Sequence, residues 1–396
     1  MNRPAASGDG TVAQAPVDLD AVRAAEFPWT QSGAIAYLNH ASTGPLPART
    51  LRALQEWDRL RSEPWRIAPG DQFAVLRRSR ELCAAMIGAG PDEIALMVNT
   101  TYGLNVAASS VSLSPGDVII TPDREFPANV YPWMALERTA GIRYRRVAGT
   151  CGLADEEALI RALDEPRVRA LSVSWVSFET GQRLDLARLG AACRERGITF
   201  IVDAIQGVGA APIDVRACHV DFLACGAQKW LLSPWGTGFL YVRRELVRQL
   251  EPRTVGWMSV RNSEDFTRLC DYELNWFEDA RRFEVITLPF QEFAGMNATL
   301  ELFGAVGWDR VHRLVGERAT QIADWAVRRP DVALVTPPEP ARRAGIVSLR
   351  SPHPEEASRR LLAEGVPHAL REGAIRLSPH FYTSPDAVDR ALALLD

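Results

Sequence analysis

Lysine is nearly missing from this chain. Of its 45 lysine and arginine residues only one, Lys229, is lysine. An arginine-favouring coding bias explains most of that shortage, so it excludes no function by itself, but it isolates the survivor. A basic block is also missing. Net charge is −4, with acidic and basic residues mixed along the chain, which argues against nucleic acid as the main partner. No apolar run approaches the ~20 residues of a membrane-spanning helix, so no membrane partner is expected. Residues 1–16, MNRPAASGDGTVAQAP, lack the apolar stretch of a secretory signal and read as a disordered tail on a cytoplasmic protein. Cysteine is sparse and unpatterned. Cys83, Cys151, Cys193, Cys218, Cys225 and Cys270 form no CxxC pair and no metal-ligand spacing, so reduced thiols and no metal are expected.

At 396 residues the chain exceeds the roughly 250–300 at which single cores divide, so a large and a smaller domain are expected. From about residue 90 to 245, short apolar runs alternate with helical patterns. EIALMV (93–98), DVIIT (117–121), IRYRRV (142–147), RALSVSW (169–175), ITFIVD (198–203), DFLAC (221–225) and TGFLYV (237–242) predict strands; 127–140, 155–163 and 185–196 predict helices. The alternation predicts an α/β fold with helices on both faces of a mostly parallel sheet. TGFLYV follows DFLAC too closely for a helical crossover and is expected to run antiparallel. After residue 285 the pattern changes to helices over 289–304 and 308–328, a strand at GIVSLR (345–350), a helix over 354–364, a strand at AIRLS (374–378) and a helix over 384–395. The expected division is a large domain over 17–285, of which 17–36 could pack on its neighbour, and a smaller α+β C-terminal domain over 286–396.

Open α/β sheets bind ligands beyond the carboxyl ends of their strands, and polar residues gather there. Asn99-Thr100-Thr101 follows EIALMV and opens a helix. Free backbone N–H groups and two hydroxyls suit a phosphate there, and also suit an ordinary helix cap. Phe126 follows DVIIT, where a ring can stack on a ligand or fill a core. Asp203 closes ITFIVD with Gln206 three residues on; a carboxylate there needs a donor partner, or else makes a turn. Lys229 lies in an apolar, glycine-rich run, DFLACGAQKWLLSPWGTGFLYV (221–242). Burial lowers an amine's pKa and makes it a nucleophile toward a carbonyl; the bland alternative is a lysine that snorkels to solvent. A phosphate cradle, a stacking ring, a carboxylate for a pyridinium nitrogen and an amine for an aldehyde are together what pyridoxal 5′-phosphate (PLP) requires.

The ordered motifs YLNHASTGPLP (37–47), NTTYGLN, EFPANVYPW, VDAIQ, GAQKW and IRLSPHFYTSPDAVDRAL (375–392) resemble the class V aminotransferases. These are fold-type I PLP enzymes that include cysteine desulfurases, kynureninases and isopenicillin N epimerase-like proteins. The likeness spans nearly the whole chain and implies a PLP-dependent transferase fold type I and a homodimer with shared active sites. By the same resemblance, Thr100 and Thr101 would cradle the phosphate, Phe126 would stack on the ring, Asp203 would pair with the ring nitrogen and Gln206 would reach the ring's 3-oxygen. Lys229 would carry the Schiff base and then take the Cα proton. Arg376 would clamp the substrate carboxylate, with Arg371 as the alternative. Asn39 and His40 lie in the segment that lines the substrate entrance in relatives; His40 either meets substrate or stands at the surface. Gln228 and Thr237 would contact the cofactor, and SPWGTG (233–238) and GWMSV (256–260) resemble segments that reach the neighbouring subunit. Trp65, Tyr102 and Trp257 are candidates for an apolar substrate pocket.

Three departures narrow the chemistry. Sulfur-donating desulfurases need a cysteine on a loop just before the substrate arginine, whereas GVPHALREGAIRLSP (365–379) is short and no cysteine follows Cys270. Phe126 stands where those enzymes place a histidine, and Phe178 where several relatives have an asparagine. Gln228 before the lysine instead resembles the transaminase branch. The expectation is an enzyme acting at Cα of an α-amino acid by β-elimination or epimerisation, with transamination as the alternative. A non-catalytic PLP-binding regulator is a third reading, and a carboxylate clamp counts against it.

Overall fold

The computed structural model describes residues 17–68 and 70–395; the tail expected over 1–16 lies outside the described residues. Seven strands form the larger sheet: β1 (Ile94–Leu96), β2 (Val118–Pro122), β3 (Arg143–Val147), β4 (Val168–Ser174), β5 (Thr199–Asp203), β6 (Phe222–Gly226) and β7 (Gly238–Val242). Their order is β1-β7-β6-β5-β4-β2-β3. β7 runs against both its neighbours, as its short connection to β6 requires, and the other pairings are parallel. Side chains alternate between two cores. Leu171, Val173, Phe200, Val202, Leu223 and Phe239 point to one, and Ala170, Ile201, Phe222, Ala224 and Leu240 to the other. Covering on both faces explains why the strands other than the exposed edge strand β3 read as apolar runs.

Two helices that the strand pattern did not announce, Ala48–Ser62 and Asp71–Ile87, pack against Phe290–Val306. Thr50 and Thr299 meet hydroxyl to hydroxyl at 2.6 Å, and Ser79 donates to Asn297 Oδ1 at 2.7 Å. These bonds satisfy polar groups buried between the helices.

The smaller sheet is antiparallel, in the order β10-β11-β9-β8, from β8 (Ala333–Leu334), β9 (Val347–Arg350), β10 (Ala369–Arg371) and β11 (Ala374–Leu377). A two-residue turn joins β10 to β11 through Glu372 and Gly373, with φ of 47° and 73°. Left-handed backbone at both turn residues matches the twist of a tight hairpin. A third core fills the space between this sheet and the helices Trp308–Val327, Pro354–Ala363 and Pro385–Ala393, through Ile322, Leu361, Ile375, Leu377, Val388 and Leu392. Ala36 and Leu38 join that core, donating backbone bonds of 2.9 Å to Gly365 and Pro367. The chain then crosses to the large sheet and carries residues 39–44 over its carboxyl edge. Among the described residues no helix is long and apolar enough to cross a membrane.

Candidate active site

Lys229 lies three residues beyond the end of β6, on the edge where the parallel strands finish. The crossing segment presses against its loop. Gly44 N–H donates to Gln228 O at 2.8 Å, and a Cβ on Gly44 would fall 2.2 Å from Lys229 O, so only glycine permits this approach. The lysine is half-buried, with Nζ 5.7 Å from the centre of the Phe126 ring. Burial brings its pKa from 10.5 down to about 8; Asp203 opposes that shift, while Arg376 and Arg371 add to it. No ion pair holds Lys229 among the described residues.

Asp203 closes β5 and is buried, accepting one backbone bond from Ile205 N at 3.1 Å. Burial pushes its carboxyl up to about 6 against the pull of Lys229. Gln206 donates from Nε2 to Ala41 O at 3.0 Å and accepts from the Trp230 indole at 2.9 Å. An indole only donates and a carbonyl only accepts, so the amide orientation is fixed and one amide hydrogen is left for a ligand. At the start of the helix Thr100–Ser110 the cap is Asn99, whose Oδ1 accepts from Tyr102 N at 2.8 Å. Buried Thr100 accepts from Gly226 N at 2.8 Å and keeps its own hydroxyl hydrogen to give; Thr101 is exposed. Phe126 is 42% exposed and meets Phe178 edge-on, centroids 5.3 Å apart.

Arg376 projects from β11 and is 2% exposed. Nη1 donates to Phe178 O at 2.7 Å and Nη2 to Ser42 Oγ at 2.8 Å, while Nε has no partner. Burial, reinforced by Arg371, lowers its pKa to about 10. Among the described residues no carboxylate pairs with it. A buried guanidinium with neutral partners and an idle N–H is a site for an anion. Arg371, at the end of β10, is exposed.

Other expected residues fall differently. Asn39 brings a buried Oδ1 with no partner. His40 neither meets substrate nor stands at the surface. It is wholly buried, with Nδ1 2.7 Å from Ser378 O and Nε2 2.6 Å from Tyr382 OH, so no ring nitrogen remains for a ligand. Gln228 is half-buried beside Lys229. Thr237 is buried and spends its hydroxyl on Pro234 O at 2.6 Å, within its own loop. Trp65 stands in solvent, the Trp257 indole donates to Thr287 Oγ1 at 2.9 Å, and Tyr102 packs toward the core that contains Phe222.

One acid was missed. Glu125 accepts from Ser174 N at 2.7 Å and also from the Ser174 hydroxyl. Ser174 is the register partner of Asp203 on the adjacent strand. Burial, with Asp203 adding to it, pushes Glu125 up to about 7. Its signal was its place, directly before Phe126 at the end of a buried strand. Ser42, a partner of Arg376, was likewise visible between Asn39 and Gly44.

One edge of the sheet thus gathers an amine of lowered pKa, a buried carboxyl and a buried guanidinium, each without an ion partner, beside an exposed ring and a helix start with a hydroxyl to donate. That donor set fits PLP and an amino acid. With a mixed seven-stranded sheet, a small C-terminal antiparallel sheet and a lysine just past β6, it defines the fold-type I class of PLP enzymes.

The particular family follows from comparison. The aminotransferase class-V profile matches residues 36–379, and the chain belongs to that family, whose members use PLP. A probable cysteine desulfurase of Methanothermobacter thermautotrophicus is 32% identical over 285 residues, covering 70% of this chain and 68% of its own. The isopenicillin N epimerase of Streptomyces clavuligerus is 29% identical over 382 residues, covering 91% and 94%. A solved complex of the cystine C–S lyase C-DES with its product cysteine persulfide matches with a TM-score of 0.84 at 26% identity, over 93% of this chain and 99% of that one.

Proposed function

We propose that this protein is a PLP-dependent enzyme acting at Cα of an α-amino acid, by β-elimination or epimerisation. The observation that carries the reading is the chain's single lysine, half-buried, unpaired and lowered to about 8, beside Asp203. When bound, PLP supplies the electron sink that Cα–H cleavage requires. Lys229 is the anchor and the base at Cα, because a usable share of its amine is neutral near neutral pH. With PLP bound, Asp203 would hold the ring nitrogen, Thr100 and Thr101 the phosphate and Phe126 the ring face, and Gln206 would offer its remaining amide hydrogen. Arg376 binds the α-carboxylate and fixes the Cα–H bond relative to Lys229.

The C–S lyase and epimerase relatives support this branch. No cysteine follows Cys270, and the β10–β11 connection is a two-residue turn, so a persulfide-carrying loop is not part of the proposal. Gln228 beside Lys229 favours transamination as the second reading. Trp235 is 71% and Trp257 38% exposed, on the two segments expected to reach a neighbour, which supports a homodimer with shared sites.

Borohydride reduction tests the reading. The yellow protein should bleach and carry a pyridoxyl adduct on the peptide containing Lys229, and Lys229→Ala should carry none. Product analysis for keto acid, sulfide or inverted amino acid then separates the branches. A colourless protein that takes up no PLP contradicts the proposal.

A further inference from the structure

The site edge carries two arginines where a simple amino acid offers one carboxylate. In the β10–β11 hairpin Arg371 stands opposite Ala374, and Ala369 opposite Arg376. Directly opposed residues share a face of the sheet, and so do residues i and i+2 along a strand. Arg371 and Arg376 therefore project from one face as diagonal neighbours, with the two alanines at the other corners. Such neighbours lie about 7–8 Å apart, within reach of long side chains. The alanines at the remaining corners are small and buried.

Neither arginine has a carboxylate partner among the described residues. Arg376 bonds neutral groups and leaves Nε idle. Arg371 donates from Nη1 only to the Leu370 carbonyl of its own strand, at 3.0 Å. The acids alongside are drawn elsewhere. Glu179 takes both bonds of a bidentate pair with Arg124, at 2.7 and 2.8 Å, and Glu372 lies 3.5 Å from the same guanidinium. The positive field of Arg371 also reaches the site, since it lowers the pKa of both Arg376 and Lys229.

We propose that Arg371 is a specificity residue that forms with Arg376 a two-guanidinium face, so that the substrate is an amino acid bearing a second acidic group. Arg376 takes the α-carboxylate and Arg371 a side-chain carboxylate or sulfinate. The inference rests on the reading of the Lys229 edge as an amino-acid site.

Calorimetric titration of the holoenzyme with unreactive acids tests it. Succinate, glutarate and adipate are compared with butyrate, on wild type, Arg371→Gln, Arg371→Lys and Arg376→Gln. The best dicarboxylate should bind at least about tenfold tighter than butyrate. Arg371→Gln should bring it down to the butyrate level and leave butyrate unchanged, Arg371→Lys should keep part of the preference, and Arg376→Gln should weaken both kinds of acid. The inference is overturned if wild type shows no preference, or if Arg371→Gln retains it. These outcomes are separate from the borohydride test. A labelled Lys229 without dicarboxylate preference removes only the second-acid site, and an unlabelled Lys229 removes the PLP reading whatever the acids do.

Discussion

Three pairs of near neighbours in the chain part onto two sides of one wall: Asn39 and His40, Lys229 and Trp230, Arg376 and Ser378. On the inner side His40, His380 and Trp230 are neutral and paired. His40 donates to Ser378 O and accepts from Tyr382 OH; His380 donates to Trp230 O at 2.9 Å and accepts from Phe381 N at 2.9 Å; the Trp230 indole donates to Gln206. On the outer side Lys229, Asp203 and Arg376 have no ion partners, and Asn39 Oδ1 and Arg376 Nε have no hydrogen-bond partner. Folding alone satisfies the first set. The second set, one or two residues away, is satisfied only by a ligand, which is how a binding site differs from a core built of similar residues.

The comparison breaks most sharply at Lys229. Lys229→Ala should lower turnover by about 10³-fold or more, since it removes both base and nucleophile, with unfolding little changed. Arg376→Gln should lower kcat/KM by about 10²-fold, as charged hydrogen bonds contribute about 1.5–3 kcal/mol each. Its melting temperature should hold or rise, because the variant no longer buries an unpaired charge. A fall of several degrees would place Arg376 with the core instead.

pH separates the two sides by sign. Burial holds His380 down at about 4 and His40 well below its usual 6.5. Both are neutral in the fold, so the unfolded chain takes up protons first. Their contribution is complete above pH 6.5 and is lost as pH falls from 6.5 through 4, by about 3 kcal/mol for His380. Glu125 and Asp203 act in the opposite sense. Pushed up to about 7 and about 6, they favour the fold at low pH and lose that contribution as pH rises through those values. Urea unfolding of the apoprotein should therefore show Glu125→Gln more stable than wild type near pH 8, with the gap closing near pH 4. No gap at pH 8 would contradict the burial argument for Glu125.

A smaller effect is expected at Tyr382. Tyr382→Phe leaves His40 Nε2 buried without a donor and should cost about 1–3 kcal/mol of stability. Turnover per folded molecule should be unchanged, in contrast to Arg376→Gln.

The sequence announced the large sheet because burial on both faces makes its strands apolar runs, except β3, an exposed edge strand of sequence RYRRV. β8 and β10, of two and three residues, are too short to leave a pattern, and the tight turn at Glu372-Gly373 read as loop. Lys229, Asp203 and Arg376 were legible because each is a charged residue within or close after a buried apolar strand. Glu125 has the same position and was hidden behind its aromatic neighbour. His40 was misplaced because its partners lie 338 and 342 residues further along the chain, beyond any local pattern. Thr237 is explained by Pro234 three residues earlier, a turn bond that motif position alone does not reveal.

A chain with one lysine permits a direct measurement of the central claim. Reductive methylation of the apoprotein with ¹³C-formaldehyde labels Lys229 and the N-terminal amine, and the same treatment of Lys229→Ala identifies the lysine signal by its loss. Titration followed by NMR should give Lys229 a pKa near 8 in the wild-type fold and a lower one in Asp203→Asn, because burial lowers it and Asp203 raises it. A value near the ordinary 10.5 would show an amine that is solvated and charged, and the contrast between the two sides of the wall would fail at its main residue.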